Sequence, residues 1–195
     1  MRKRFFCLLA FLIVCPNVSK ATPVQWRIED GGNDHWYEPV SLAQPIIWID
    51  ARDAAAAADG YLCTITSLEE NTFVFNLVKD LPEMWTFPNG DMGPWLGGYQ
   101  DRSAPDYSEP AGGWRWVTGE PFVYTNWSGG GPNNMADAED WLHFHGIQYP
   151  YQWNDTGFPG DYVYSYIVEV PEPTTLLLLG LGGLALRIRQ KRTRA

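Results

Sequence analysis

Hydrophobic and polar positions alternate with period two through residues 140–144, where Leu142 and Phe144 share one face and Trp141, His143 and His145 the other. That pattern predicts a half-buried strand with Leu142 and Phe144 toward a core. Earlier in the chain the period lengthens. Ala-rich residues 48–59 read as a first helix, since residues 54–58 are all alanine and alanine has the highest helix propensity. Gly60 is the expected left-handed cap. Ser67 and Glu70 form a capping box, and Phe73, Val74, Leu77 and Val78 recur at helical spacing, predicting a second helix with that stripe buried and Pro82 at its end. Strands are expected at residues 35–40, 62–65, 95–99, 114–117, 122–124, 152–154 and 164–169. Between Met84 and Asn134 Gly, Pro, Asn and aromatic residues dominate, which predicts a long irregular region, with residues 101–113 as an insertion.

Both ends of the 195-residue chain have a different pattern. Arg2-Lys3-Arg4 precedes an apolar run at residues 5–14, and Ser19-Lys20-Ala21 offers small residues for cleavage, so residues 1–21 read as a secretory signal peptide. Residues 22–170 are then one domain of ordinary size. Residues 171–195 form a third module: Pro171-Glu172-Pro173, an apolar run at residues 174–186, and a basic end from Arg187 to Arg194. At ~1.5 Å per residue that run is short for a hydrocarbon core of ~30 Å, and snorkelling arginines extend its reach. Positive charge after the run places the terminus in the cytoplasm and the domain outside.

Charge sharpens this division. Residues 22–170 hold 22 Asp and Glu against 5 Lys and Arg, a net −17. So acidic a domain argues against nucleic acid as a partner, because phosphate must be met by cations; it is compatible with binding a cation. Cys7 and Cys15 fall in the leader, which leaves Cys63 alone and excludes an internal disulfide in the mature chain. Cys63 reads as a small buried hydrophobe. No nucleophile elbow, P-loop or metalloprotease motif is present.

The candidate chemistry lies in residues 127–155. Asn133, Asn134, Glu139, Asp140, Asn154 and Asp155 gather amide and carboxylate oxygens on either side of the Leu142/Phe144 strand. A hard cation such as Ca²⁺ requires several converging oxygens; an exposed acidic loop is the simpler alternative. His143 and His145, two apart on one strand face, have spacing that can hold Zn²⁺, or are a pair of exposed or partly packed histidines.

Gly131-Pro132-Asn133, Glu139-Asp140-Trp141 and Trp153-Asn154-Asp155, in that order, resemble the motifs of the C-type lectin-like domain. The run from Gly60 to Asn71, Trp95-Leu96-Gly97-Gly98 and Trp114-Arg115-Trp116 agree. The resemblance covers about residues 33–170 and implies an α+β fold: two helices flanking a small antiparallel sheet, with a long irregular loop region. It implies a Ca²⁺ site built by Asn133, Glu139, Asn154 and Asp155, in which the same side chains bind vicinal hydroxyls of a carbohydrate. Gly131 stands where the family has Glu or Gln, so one ligand is missing, with a water or Asp137 as substitute. Gly131–Pro132 is expected to be cis. Asp140 belongs to an auxiliary cation site or bonds the backbone. Where family members carry half-cystines, this chain has Ala55, Trp141 and Val168, so apolar packing replaces the cross-links.

The tail resembles the PEP-CTERM sorting signal of Gram-negative bacteria, which implies an exosortase as partner, transient inner-membrane anchoring through residues 174–186, and delivery to the cell surface or extracellular matrix. The function these features imply is an exported, non-catalytic module binding a glycan or exopolysaccharide with the help of Ca²⁺. The alternative is a matrix or protein-interaction scaffold that has lost calcium and sugar. A glycosidase using Glu139 and Asp155 as paired carboxylates is set aside, since both are accounted for as metal ligands.

Overall fold

The computed structural model describes residues 18–85, 92–157 and 163–172. Among them, nine strands and two α-helices form one mixed sheet with helices against it. The sheet runs β1 (Val18–Lys20), β3 (Trp36–Leu42), β9 (Ser165–Val170), β5 (Trp95–Gln100), β7 (Trp141–Phe144), β8 (Trp153–Thr156). Three short strands pair off this path: β2 (Val24–Gln25) on β3, β4 (Tyr61–Leu62) on β9, and β6 (Trp114–Trp116) on β5. All pairings are antiparallel except β5 with β9, where Trp95 faces Tyr166 in parallel. The purely antiparallel expectation is corrected there. β3 and β9 are antiparallel over six residue pairs, so the two ends of the domain lie side by side. β1 pairs with residues 40–42 although its residues fall in the expected leader.

Helix α1 (Trp48–Ala57) ends as expected, but the left-handed residue is Asp59, with φ 60°, and not Gly60. Asp tolerates that region because its short polar side chain can bond locally. Gly60 is needed for space: a Cβ there would stand 2.5 Å from the carbonyl oxygen of Glu169. Helix α2 (Leu68–Val78) opens on the expected cap, with Ser67 Oγ accepting from the Glu70 amide at 3.1 Å. The return contact differs. Glu70 Oε2 accepts from the Thr66 amide and hydroxyl, at 2.6 and 2.9 Å, because its side chain turns inward. The buried stripe is correspondingly rotated to Asn71, Val74, Phe75 and Val78, leaving Phe73 and Leu77 partly covered. The helix stops at Val78, and Pro82 begins a separate 3-10 turn.

Two apolar clusters follow from the two faces of the sheet. One packs α2 and the tryptophans of β6 and β8 against Leu96, Leu142 and Phe144. The other packs Trp48, Ala51 and Ala55 of α1 against Val40, Leu62, Trp95 and Val168. Ala55 and Val168, two of the expected half-cystine positions, are both buried in this second cluster, with Trp141 against it. Cys63 is buried and free, its thiol pushed up by burial. Residues 122–124 form no strand; Phe122 instead packs against Trp114, Trp116, Trp127 and Trp153.

Both faces of β7 are covered, which the alternation did not show. His143 is buried edge-on against Trp95, and Trp141 lies against Trp48. His145 stacks on Tyr149. Among the described residues no three His, Cys, Asp or Glu side chains form a metal-holding group, and no helix is long and apolar enough to cross a membrane. The expected leader, through residue 17, and the apolar run at 174–186 lie outside the described residues.

Candidate functional site

The site is built from two neighbouring strands and the turn that crosses their ends. In the β7–β8 ladder Leu142 faces Asp155 and His143 faces Asn154. Alternation along β8 therefore sends Trp153 and Asp155 to the buried side and leaves Asn154 half-exposed. Trp153 anchors the strand: its indole N–H donates to Asn71 Oδ1 of α2 at 2.8 Å. The same strand is tied to the loop through the Ser128 amide, which donates to the Trp153 carbonyl at 2.8 Å.

Asp155 is 0 % exposed. Its carboxylate accepts from the main-chain amide of Asn133, at 2.8 Å for Oδ2 and 3.1 Å for Oδ1, and from the Asn134 amide at 2.7 Å. Burial holds the Asp155 carboxyl above the ordinary range, and the bonds from these amides pull the other way. It forms no ion pair with a Lys, Arg or His among the described residues. The Gly131–Pro132 bond is cis, as expected. On the other side of that bond, a Cβ on Gly131 would sit 3.4 Å from Asn154 Oδ1 and 3.5 Å from Ser128 Oγ. The Gly-Pro-Asn turn is thus laid across Asn154 and Asp155.

Glu139 joins through a second, reciprocal turn. The Glu139 amide donates to Asn134 Oδ1 at 3.0 Å, and Glu139 Oε2 accepts from the Met135 amide at 2.7 Å. Asn134, Ala136 and Asp137 have positive φ of 43°, 57° and 58°, a conformation that costs non-glycine residues energy and marks a turn held by its surroundings. All four expected ligands therefore come from one corner of the fold: Asn133 through its main chain, Glu139 through the turn, and Asn154 and Asp155 from β8.

Three residues of this corner were missed by the sequence reading as parts of the turn's scaffold. Asn134 was counted only among the oxygens, and its local signal was adjacency to Asn133. Ser128 lay in a glycine-rich run without distinguishing pattern. Arg102 lies in residues 101–113 and has no local signal. Its Nε donates to both carboxylate oxygens of Asp140, at 2.9 and 3.1 Å, and Nη2 donates to the Asp137 carbonyl at 3.1 Å. Asp140, read as an auxiliary cation ligand or a backbone acceptor, thus meets a guanidinium, and Asp137 is tied to the same group through its carbonyl.

The residues fit a Ca²⁺ ion in part. They supply two carboxylates and two amides, hard oxygen donors of the right kind, and the fully buried Asp155 charge has no cationic side chain opposite it. A Cβ at Gly131 would be in ordinary contact with Asn154 Oδ1, so a longer acidic side chain there would start beside the candidate ligands.

A second concentration of acid lies across the molecule, where β3, β9 and α2 meet. Glu70 and Glu169 are both buried. Tyr37 donates to Glu70 at 2.7 Å and lies 3.3 Å from Glu169, whose Oε1 also takes His35 Nδ1 at 2.6 Å. Thr64 donates to Glu169 through its amide. The hydrogen bond to Glu169 raises the His35 pKa, and burial raises that of Glu70. This network is fully bonded and ties helix to sheet.

Comparison with known proteins places the architecture. The C-type lectin CEL-I from Cucumaria echinata superposes with a TM-score of 0.54 at 23% identity, covering 71% of this chain and 91% of that one. The mouse scavenger receptor C-type lectin carbohydrate-recognition domain gives 0.53 at 25%, covering 73% and 94%. The perlucin-like protein of Mytilus galloprovincialis is 34% identical over 110 residues, and lectin subunit alpha of Sarcophaga peregrina is 32% identical over 110. The chain spans 60% and 36% of the lengths of these two relatives. The fold is that of the C-type lectins. Residues 169–192 match the PEP-CTERM protein-sorting motif, so the chain joins a C-type lectin fold to a PEP-CTERM sorting motif.

Proposed function

We propose that this protein is an exported, non-catalytic surface module that binds a glycan, such as an exopolysaccharide, through a Ca²⁺ ion. Asn133, Glu139, Asn154 and Asp155 would hold the ion, which would supply a fixed positive charge able to accept two neighbouring sugar hydroxyls as ligands. The chain's own part is to keep those oxygens close and dry. The observation that supports this reading is the bonding of the Asn133 and Asn134 amides to the buried Asp155 carboxylate, which holds the loop against β8. The sorting motif supports delivery by an exosortase-type enzyme to the surface or matrix of a Gram-negative cell, with residues 174–186 as a transient inner-membrane anchor and residues 1–21 as the leader. The net charge of −17 over residues 22–170 disfavours a nucleic-acid partner, whose phosphates must be met by cations.

A second reading has its own support. The Asp155 carboxylate is already satisfied by amides, and Gly131 withholds one ligand, as in a scaffold that kept the fold and lost the ion. A glycan array probed with and without Ca²⁺ separates the two. The lectin reading expects bound glycans whose signal disappears with chelator; an array blank under both conditions supports the scaffold.

A further inference from the structure

The sorting motif does not start where the domain stops. Its match begins at Glu169, which lies inside β9 and is 1 % exposed. The register extends this overlap. Tyr37 faces Glu169 and Trp36 faces Val170 across β3 and β9, while Gln25 of β2 faces Trp36 from the other side. Gln25, Trp36 and Val170 therefore form one row across three strands. Strand side chains alternate with period two, so Glu172, two residues past Val170, projects toward the same row. There its Oε1 accepts from Gln25 Nε2 at 2.6 Å and from the Trp36 indole N–H at 2.9 Å. Gln25 is braced for this by a further bond to the Asp34 carbonyl at 3.1 Å. Trp36 is 38 % exposed, a large aromatic at the surface whose polar end is used on this one carboxylate.

Glu172 is the central residue of Pro171-Glu172-Pro173. We propose that Gln25 and Trp36 are a docking site for the chain's own sorting segment, so that the folded domain keeps Glu172 engaged and the sorting enzyme takes the segment only after this contact opens. Both donors are neutral, so the contact is a latch that can open without breaking an ion pair. Its effect on an outside partner is that of a competing internal ligand: the apparent affinity falls by the fraction of chains in which the segment is free.

The test uses the full chain in a cell that exports and processes it, followed by pulse-chase and the mass shift of processing. The double variant Gln25→Ala, Trp36→Phe removes both donors and leaves the sorting segment unchanged. Processing about tenfold faster than wild type is expected, the release of a state about 90 % closed. Equal rates, including no processing of either chain, overturn the proposal, and slower processing overturns it in favour of a contact that presents the motif. A second readout does not depend on the enzyme. In the purified full chain, the Trp36 indole N–H resonance is expected to move when Glu172→Ala removes its acceptor. A resonance at the same position in both chains means that Glu172 is not on Trp36, and the proposal fails.

Discussion

Removing the Asp155 carboxylate leaves the amides of Asn133 and Asn134, both now bonded to it, without their acceptor beneath the turn. A buried polar group so stranded costs about 1–3 kcal/mol. Asp155→Ala is therefore expected to lower stability by about 2–4 kcal/mol in chemical denaturation, while Asp155→Asn retains an acceptor oxygen and loses less. Gly131 invites the opposite change. A Cβ there meets nothing closer than 3.4 Å, and its φ lies outside the left-handed region. Gly131→Glu is accordingly expected to fold and to bind Ca²⁺ about tenfold more tightly by calorimetry, the effect of one added charged oxygen ligand worth ~1.4 kcal/mol. Equal or weaker binding would show that position 131 does not face the ion. At the same scale, tripeptides mark Asn133, Glu139, Asn154 and Asp155 in the sequence, and the structure bonds the Asn133 amide to Asp155 and the Glu139 amide to the neighbouring Asn134. Arg102 was not legible there, because its partner Asp140 is 38 positions away and nothing local distinguishes a paired arginine from a solvated one.

Elements tell where periodicity suffices and where packing overrides it. Alternation identified β7 but not the burial of His143, since a period-two pattern presumes one wet face and α1 with its aromatic neighbours covers the other. The capping box located the start of α2, yet Glu70 serves Thr66 and Tyr37 as well, a tertiary demand that no local pattern encodes. The parallel contact of β5 with β9 was likewise hidden, because the pairing depends on how the chain crosses over. Gly97 shows why the Trp-Leu-Gly-Gly stretch is so small at its centre: a Cβ would lie 2.3 Å from the Leu62 carbonyl oxygen. Gly97→Ala is expected to force β5 from β4 and cost about 3 kcal/mol, read as a lowered denaturation midpoint with unchanged slope.

The junction of β3, β9 and α2 also sets a pH dependence. His35 titrates above its ordinary 6.5 in the folded state, through its bond to Glu169. A raised folded value means that the stabilisation is complete below pH 6.5 and is lost as pH rises through the folded value. Glu70, raised above 4.5 by burial, acts in the same direction in a lower window. The metal-free domain is therefore expected to melt at lower temperature at pH 8 than at pH 6, and His35→Gln to flatten that difference. A wild-type melting temperature that rises across the interval contradicts this assignment.

For the molecule as a whole, the fold binds the domain's two ends through β3 and β9 and places the candidate ligands at the far end of the sheet order, on β8 and the turn docked against it. The sorting segment and the ligand corner are thus served by different parts of one scaffold, so processing and binding can be tested separately. The proposed role of the corner is to grip a divalent cation. Calorimetric titration of Ca²⁺ into the chelator-treated domain, with melting followed in parallel, tests it most directly. The account predicts saturable binding, stabilisation of about 2.7 kcal/mol at a hundredfold excess over Kd, reversal by chelator, and loss of both signals in Asp155→Asn. Absence of heat and of any melting shift in the wild-type domain would contradict it.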